Sequence, residues 1–280
     1  MDHVETITSP ANPRVKQAAR LRDAGARRET ALALVDGLRE LSRAVASGIK
    51  VVEVFVATDG PSDSASRSVD FAACLAACAA QGAAIVPLGP RAFAKLAFGD
   101  RDEGLVGVVR FAARGLAEVS LAADRPVLVA EAVEKPGNLG AILRTADAAG
   151  LAGVIAADPR TDVANPATIR ASLGTVFSVP LTVATTADVI RWAASEARRV
   201  ILATPTGSRL WHEVDLTGPT LLVVGSEANG VSPAWNDAAA AGTIAMETVH
   251  LPMRGVADSL NVSVTAAVLA YEALRQEGLR

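Results

Sequence analysis

The chain has 280 residues, enough for two ordinary domains, and half of them are hydrophobic, so a large core is available. No run of about 18 uncharged apolar residues occurs, which excludes a membrane-spanning helix, and the acidic start lacks a signal-peptide core. The sequence therefore predicts a soluble, cytoplasmic protein. The net charge of −3 excludes a surface covered in positive charge but permits a local basic patch. Cys74, Cys78 and three scattered histidines form no ligand pattern, so we expect no metal and no disulfide.

A basic segment lies near the start of the chain. Residues 10–28 hold six basic residues and one acid, Asp23, which gives a local charge of +5. The basic residues are Arg14, Lys16, Arg20, Arg22, Arg27 and Arg28. Two interpretations remain open: a solvated helix face, which is the usual role of such runs, or a surface that contacts phosphates.

Strands and helices then alternate up to residue 111. The patterns predict strands at 31–35, 49–57, 84–88 and 105–111, and helices at 38–46, 71–81 and 91–98. This alternation is typical of a small α/β domain, which we place at residues 1–111. Residues 112–124 carry no strong pattern and are predicted to be a linker.

A second alternating series fills residues 125–280. Strands are predicted at 126–133, 153–157, 179–184, 200–204, 221–224 and 248–251. Helices are predicted at 139–149, 166–173, 187–197 and 233–240, with a last one starting at Ser259. Continuous apolar strands separated by helices predict a six-stranded parallel sheet covered on both faces.

Three of these strands end in unusual polar residues, at the edge where open α/β sheets bind ligands. The first is followed by a tight turn at Pro136 and Gly137, by Asn138 as a candidate helix cap, and by Arg144. An arginine in that apolar helix either reaches solvent or holds an anion, and both interpretations stay open.

The fifth and sixth strands end in the other two polar segments. Residues 225–230 read Gly-Ser-Glu-Ala-Asn-Gly, which is neither a dinucleotide fingerprint nor a P-loop and is weak by itself. Residues 252–263 lead into the last helix. Taken alone they fit a capped helix as well as a binding site.

The three segments together, in this order, resemble the three motifs of the SpoU (TrmH-like) RNA 2′-O-ribose methyltransferases of the SPOUT superfamily. Residues 138–146 resemble the first motif, residues 222–230 the second, and residues 251–264 the third. Residues 170–177, Arg-Ala-Ser-Leu-Gly-Thr-Val-Phe, match as well. Residues 8–13 and 35–37 resemble the ribosomal-protein-like substrate-binding domain often fused to these enzymes, although the family often has Glu where Asp36 stands.

The resemblance implies a C-terminal methyltransferase domain over residues 125–280 that is threaded as a deep trefoil knot, and an RNA substrate-binding domain over 1–111. It implies S-adenosylmethionine as cofactor and a homodimer whose sites take first-motif residues from the partner. The implied cofactor-binding residues are Ala203, Thr204, Gly225, Ser226, Glu227, Leu251, Met253 and Leu260. The implied catalytic residues are Arg144, Asn138, Glu227, Ser259 and Asn261. RNA would contact the six basic residues above and Arg170.

A guanidinium stays protonated in proteins, so Arg144 is a poor base. We expect it to bind the phosphate beside the target ribose and to stabilise developing negative charge, while that phosphate or a water accepts the proton. Ser259 and Asn261 would orient cofactor and ribose.

The leading hypothesis is methylation of a ribose 2′-hydroxyl in ribosomal RNA. A transfer-RNA 2′-O-methyltransferase and a non-catalytic RNA-binding protein on the same fold are the alternatives. An ordinary Rossmann enzyme is disfavoured because its glycine fingerprint is missing.

Overall fold

The computed structural model describes residues 5–58, 65–98, 103–226 and 229–278. These residues divide into two units. The first contains the chain up to Ala112 together with Val163–Ser178, and the second contains Ala113–Asp162 and the chain from Val179 onward. Across the described ranges, every helix falls short of the length and apolarity that crossing a bilayer requires.

The first unit is built on a mixed four-stranded sheet in the order β1-β4-β2-β3. Its strands are β1 (Leu32–Asp36), β2 (Val51–Ala57), β3 (Ala84–Leu88) and β4 (Leu105–Arg110). Its helices are α1 (Pro13–Arg20), α2 (Ala24–Thr30), α3 (Leu38–Ala46), α4 (Ala65–Ala80), α5 (Pro90–Phe93) and, from the later segment, α7 (Pro166–Ala171). β4 is antiparallel to β1 and β2, whereas β3 is parallel to β2. The four predicted strands are confirmed.

The basic segment forms two helices where the sequence suggested one basic helical segment. Asn12 caps α1 by accepting from the N–H of Arg14 at 2.9 Å. Asp23 then caps α2, accepting from the N–H of Gly25 at 2.7 Å. The only acid of the segment is therefore used to start its second helix.

The second unit is built on a sheet in which every strand pair is parallel, in the order β7-β6-β5-β10-β8-β11-β9. The strands are β5 (Val127–Glu131), β6 (Gly153–Ala157), β7 (Leu181–Ala184), β8 (Arg199–Ala203), β9 (Arg209–Leu210), β10 (Thr220–Val224) and β11 (Met246–His250). The helices are α6 (Pro136–Ala148), α8 (Thr186–Ser195), α9 (Ala234–Ala240) and α10 (Val262–Glu277). The parallel α/β architecture is confirmed, but the predicted count of six strands is wrong, because two-residue β9 is too short to produce a periodic pattern.

Every residue of β5, β6 and β10 is buried, as in parallel strands covered on both faces. Alternate residues such as Val127 and Val129 pack with α8 and with Trp235 of α9. Helices α6 and α10 pack on each other and on these strands. These two helices therefore cover part of the sheet.

The sequence predicts a linker at residues 112–124, and all of these residues from Ala113 onward belong to the second unit. Leu116 and Leu121 pack on its core, and the carbonyl of Arg114 accepts from the N–H of Val183 at 2.8 Å. The buried guanidinium of Arg198 donates to the carbonyl of Ala122 at 2.7 Å. This segment has no periodic apolar pattern, yet it is ordered and packs against the core of the second unit.

Candidate active site

A cleft opens at the carboxyl ends of three neighbouring strands of the second sheet, β10, β8 and β11. Its volume is about 180 Å³, and it is open to solvent on one side. The strands end side by side because they are parallel, so the loops that follow them form adjoining walls.

Seven of the eight residues that the resemblance assigns to the cofactor line this cleft. They are Ala203, Thr204, Gly225, Ser226, Leu251, Met253 and Leu260. Glu227, which was expected both to bind cofactor and to act in catalysis, lies outside the described residues. Ser259, an expected catalytic residue, lines the cleft as well.

Sequence reasoning missed several lining residues, among them Pro205, Asp258 and Thr265. Each lies next to a predicted residue in the chain or one helical turn beyond it. The N–H of Thr265, for instance, donates to the carbonyl of Asn261 at 3.0 Å. Helical spacing from Asn261 was the signal that could have identified Thr265.

The loop after β10 folds back on itself at the cleft. Ser226 and Gly230 exchange two backbone hydrogen bonds of 3.0 Å. A Cβ atom at Gly225 would lie 2.2 Å from the carbonyl carbon of Gly230, closer than real Cβ contacts come. Glycine is therefore required at 225 by the loop itself, and substituting it would not test cofactor contact cleanly.

The loop after β8 is tied to β11. The N–H of Thr204 donates to the carbonyl of Val249 at 2.9 Å, and Gly207 approaches so closely that a Cβ there would lie 2.2 Å from the Val249 carbonyl carbon. The walls of the cleft after β8 and β11 are thus held together by backbone contact.

Asn261, not Ser259, caps the last helix, which corrects the predicted helix start. Its Oδ1 accepts from the N–H of Ser263 at 2.9 Å and from the Ser263 hydroxyl at 2.6 Å. Ser259 is left in the exposed loop before the helix, where its hydroxyl adjoins the cleft.

Asn138 lies in the first turn of α6 and does not cap it, contrary to expectation. Lys135 occupies the cap position without a side-chain bond, and Pro136 opens the helix. The side chain of Asn138 instead accepts from Nδ2 of Asn261 at 3.2 Å. First-motif and third-motif side chains therefore meet within one chain at this point.

Arg144 is exposed on α6 and is not among the residues that line the cleft. Within the described part of the chain, its guanidinium has no hydrogen bond or ion pair. Of the two interpretations left open for Arg144, the single chain therefore shows the one in which its side chain faces solvent. The guanidinium is accessible to an anion from outside the chain.

The basic residues of α1 and α2 differ in their accessibility. Lys16, Arg20 and Arg28 are exposed, and their side chains form no hydrogen bond or ion pair within the described ranges. Arg14 pairs with Glu53 at 2.6 Å. Arg22 is exposed but donates to the carbonyl of Ala97 at 2.7 Å.

Arg27 corrects the expectation that all six side chains contact RNA. It is 4% exposed, and its guanidinium donates to the carbonyls of Leu21 and Arg22 at 2.8 Å each. These bonds satisfy backbone acceptors after α1, so the charge is used to close the turn between two helices.

Arg170 is likewise engaged inside the first unit and is withdrawn from the expected RNA contacts. It pairs with Asp36 at 3.4 Å and donates to the carbonyl of Phe98. Burial raises the pKa of Asp36 from 3.8 to about 6, while the Phe98 N–H and Arg170 act in the opposite direction. The segment Val163–Ser178 is thereby anchored to the end of β1.

Two family descriptions match the chain. The SpoU rRNA Methylase family matches residues 125–271, more than half of the chain. The MRM3-like substrate binding domain matches residues 12–107.

Curated relatives carry related names. The 23S rRNA (uridine(2479)-2′-O)-methyltransferase of Streptomyces viridochromogenes is 36% identical over 64% of this chain, and the match spans 63% of that enzyme. The 23S rRNA (guanosine-2′-O-)-methyltransferase RlmB of Bordetella pertussis is 34% identical over 70% of this chain and 79% of its own length.

Solved structures match nearly the whole chain. A crystal structure described as an RNA 2′-O ribose methyltransferase is 37% identical, covers 98% of this chain and 100% of its own, and superposes with a TM-score of 0.82. The AdoMet-bound rRNA methyltransferase from Sinorhizobium meliloti is 27% identical, with 99% of each chain covered and a TM-score of 0.85. The chain therefore belongs to the SpoU rRNA methylase family.

Proposed function

We propose that this protein transfers a methyl group from S-adenosylmethionine to a ribose 2′-hydroxyl of ribosomal RNA. The observation that carries the proposal is the cleft, where seven residues from three separate segments meet at the edge of the sheet. Family membership and the names of the relatives support the same reaction.

The residues of the cleft fit this cofactor. Leu251 and Leu260 offer apolar walls for a flat base, Thr204 and Ser226 offer hydroxyls, and Asp258 offers a carboxylate for a cationic group. S-Adenosylmethionine supplies a methyl group on a positively charged sulfur. The protein's own part is to hold the ribose oxygen in line with that group, an effect worth about 7–11 kcal/mol in well-oriented reactions.

Arg144, Ser259 and the Asn138–Asn261 pair are assigned distinct roles in this proposal. The exposed guanidinium of Arg144 binds the phosphate beside the target ribose and stabilises charge that develops on the oxygen. The Ser259 hydroxyl orients the ribose or cofactor at the cleft. Asn138 and Asn261 position the start of α10, because Asn261 is already bound on both sides.

The first unit binds RNA through phosphate contacts from Lys16, Arg20 and Arg28. Lys16 and Arg20 are four residues apart on α1 and therefore share a face. Phosphate contacts position a protein on RNA more than they select a sequence. Choice of the target nucleotide is therefore left to other contacts.

The protein acts as a homodimer with shared sites. Val264 and Tyr271, two helical turns apart on α10, are 46% and 51% exposed. A second copy packed on this apolar stripe would remove it from water. Arg144, which does not line its own cleft, would serve the site of the partner.

The C-terminal part of the second unit is threaded as a trefoil knot in this proposal. The strand order supports it, because β10 enters the sheet between β5 and β8 after the chain has already formed β9 at the edge. The close passage of Gly207 against β11 supports it too.

Mapping 2′-O-methylation tests the reaction and its substrate. Ribosomal and transfer RNA from cells with and without the protein are compared, and purified protein is supplied with each RNA and the cofactor. We expect a single ribosomal position to depend on the protein. Methylation of transfer RNA alone would favour the alternative substrate, and methylation of neither would leave a non-catalytic RNA-binding protein.

A further inference from the structure

Glu131 is a buried carboxylate that the proposed reaction does not use. It ends β5, is 3% exposed, and is not among the residues that line the cleft. Within the described part of the chain no cation pairs with it. A buried charge is unfavourable unless hydrogen bonds compensate it, so its surroundings should reveal why a carboxylate stands there.

Three neutral donors surround the two oxygens of Glu131. Oε1 accepts from the Thr186 hydroxyl at 2.8 Å. Oε2 accepts from the Ser232 N–H at 3.0 Å and from Nε1 of Trp235 at 3.1 Å. The arrangement joins the end of β5 to the starts of α8 and α9 and to the loop between β10 and α9.

The bond to Ser232 connects Glu131 to the cleft. Ser232 stands two residues after Gly230, whose backbone is paired with Ser226. Gly230 and Ser226 both line the cleft. The carboxylate therefore fixes the point at which the chain leaves the cleft wall.

The backbone of Glu131 leads to the other half of the proposed site. The next residue, Ala132, has a φ of 51°, and its N–H donates to the carbonyl of Ala157 at 2.8 Å. The chain turns there toward α6, which carries Asn138 and Arg144. Glu131 therefore contacts the chain just after the second motif, through Ser232, and directly precedes the turn that leads into the first motif.

We propose that Glu131 is a positioning residue for cofactor binding, which acts through the Ser232 N–H by holding the paired backbones of Ser226 and Gly230 in place at the cleft. This inference rests on the proposed function, since it assumes that S-adenosylmethionine occupies the cleft. An apolar residue would fill the same space, but it would leave the Ser232 and Trp235 donors buried without an acceptor.

Three variants separate positioning from general stability. E131M removes all three acceptor contacts at similar volume. E131Q keeps a carbonyl oxygen for Ser232 and Trp235 and turns its amide toward Thr186, whose hydroxyl can accept. T186V removes only the contact to α8. Calorimetric titration with S-adenosylmethionine gives the Kd of each folded variant, and circular dichroism confirms the fold.

We expect E131M to weaken S-adenosylmethionine binding at least fivefold, while E131Q and T186V stay within fivefold of the wild type. The proposal would be overturned if folded E131M bound S-adenosylmethionine with a Kd within fivefold of the wild type. It would also be overturned if T186V lost as much affinity as E131M. If E131M does not fold, E131D replaces it under the same criteria, because its carboxylate is one methylene short of Ser232. A wild-type protein that fails to bind S-adenosylmethionine would instead refute the proposed function.

Discussion

Nδ2 of Asn261 donates to Oδ1 of Asn138 across 3.2 Å and joins the start of α10 to the first turn of α6. Both residues were expected to act in catalysis. The side chain of Asn261 has two roles in the structure: its Nδ2 binds Asn138, and its Oδ1 caps α10. Capping and bridging can be separated by substitution.

We predict that N261S keeps the stability of the protein but lowers its methyl-transfer rate about tenfold. Serine is a good cap, whereas its short side chain cannot reach Asn138. N261A should also lose the cap and destabilise the protein by about 1 kcal/mol. Thermal unfolding and single-turnover rates measure the two effects. N138A is the matched control for the bridge, and transfer at the wild-type rate in both N261S and N138A would contradict the role.

Replacing Arg144 should abolish transfer and spare cofactor binding. R144A removes the cation proposed to meet RNA phosphate, so we expect at least a hundredfold loss in single-turnover rate and a Kd for S-adenosylmethionine within threefold of the wild type. R144K keeps the charge but loses the bidentate geometry, so its single-turnover rate should lie between those of R144A and the wild type. A rate for R144A within a few-fold of the wild type would rule the role out.

The exposed stripe of α10 should hold the dimer together. Charges introduced by V264E and Y271E would be buried in that interface, so sedimentation should show a monomer. V69E, at a residue 68% exposed in the first unit, is the control and should leave the assembly unchanged. Persistence of a dimer in the double variant would show that another surface is used.

If the sites are shared, mixing R144A chains with the weakly active N261A chains should raise the activity above that of either variant alone. One site of each mixed dimer then contains both intact residues. The measurement requires proof of subunit exchange, for example by mass spectrometry of tagged chains. No recovery after verified exchange would count against the shared site.

Removing Lys16, Arg20 and Arg28, whose side chains are exposed on α1 and α2, should weaken RNA binding and flatten its salt dependence. Phosphate contacts release counterions, at roughly 0.7 in the logarithmic salt slope for each contact to a single strand, so K16Q/R20Q/R28Q should lower the slope by about two. R39Q/K50Q/R110Q removes the same charge from other exposed positions of the first unit and serves as control. Equal RNA affinity of the two triple variants would favour a merely solvated helix face.

Asp36 should make stability fall with rising pH. Burial raises its pKa from 3.8 to about 6, so the folded state holds this proton more tightly than the unfolded state does. The stabilisation of the folded state by protonated Asp36 is complete below about pH 4 and is lost as the pH rises through 6. The unfolding free energy of the wild type relative to D36N should therefore fall by about 3 kcal/mol between pH 3 and pH 7.

Denaturant titrations at several pH values measure this difference. Asp188 provides a control of opposite sign, because its bond with Thr185 lowers the pKa of its carboxyl. The wild type relative to D188N should lose stability as the pH falls. A pH-independent difference between the wild type and D36N would contradict the assignment.

The order of strands and helices was readable from the sequence because buried strands and amphipathic helices repeat their apolar residues with fixed periods. The strands at 153–157 and 84–88 were predicted to the residue. The two-residue strand Arg209–Leu210 was not, since its existence depends on backbone pairing with His250 and its neighbours. The helix start was misplaced for a similar reason, because Ser259 and Asn261 are equally good caps until the loop before α10 is folded.

The three strand-end segments, taken together and in order, resembled the motifs of a known family, and that resemblance selected the cofactor-site candidates. The residue types of each segment alone did not select them. Tertiary structure decided which charges are available. Lys16 and Arg27 are indistinguishable as letters in a basic run, yet one side chain is exposed and the other closes a turn inside the fold. It also decided the partners of Glu131, whose three donors lie 55, 101 and 104 residues away along the chain. Periodicity reports only neighbours within a few residues, whereas the compensation of a buried charge depends on which distant donors the fold brings within 3 Å.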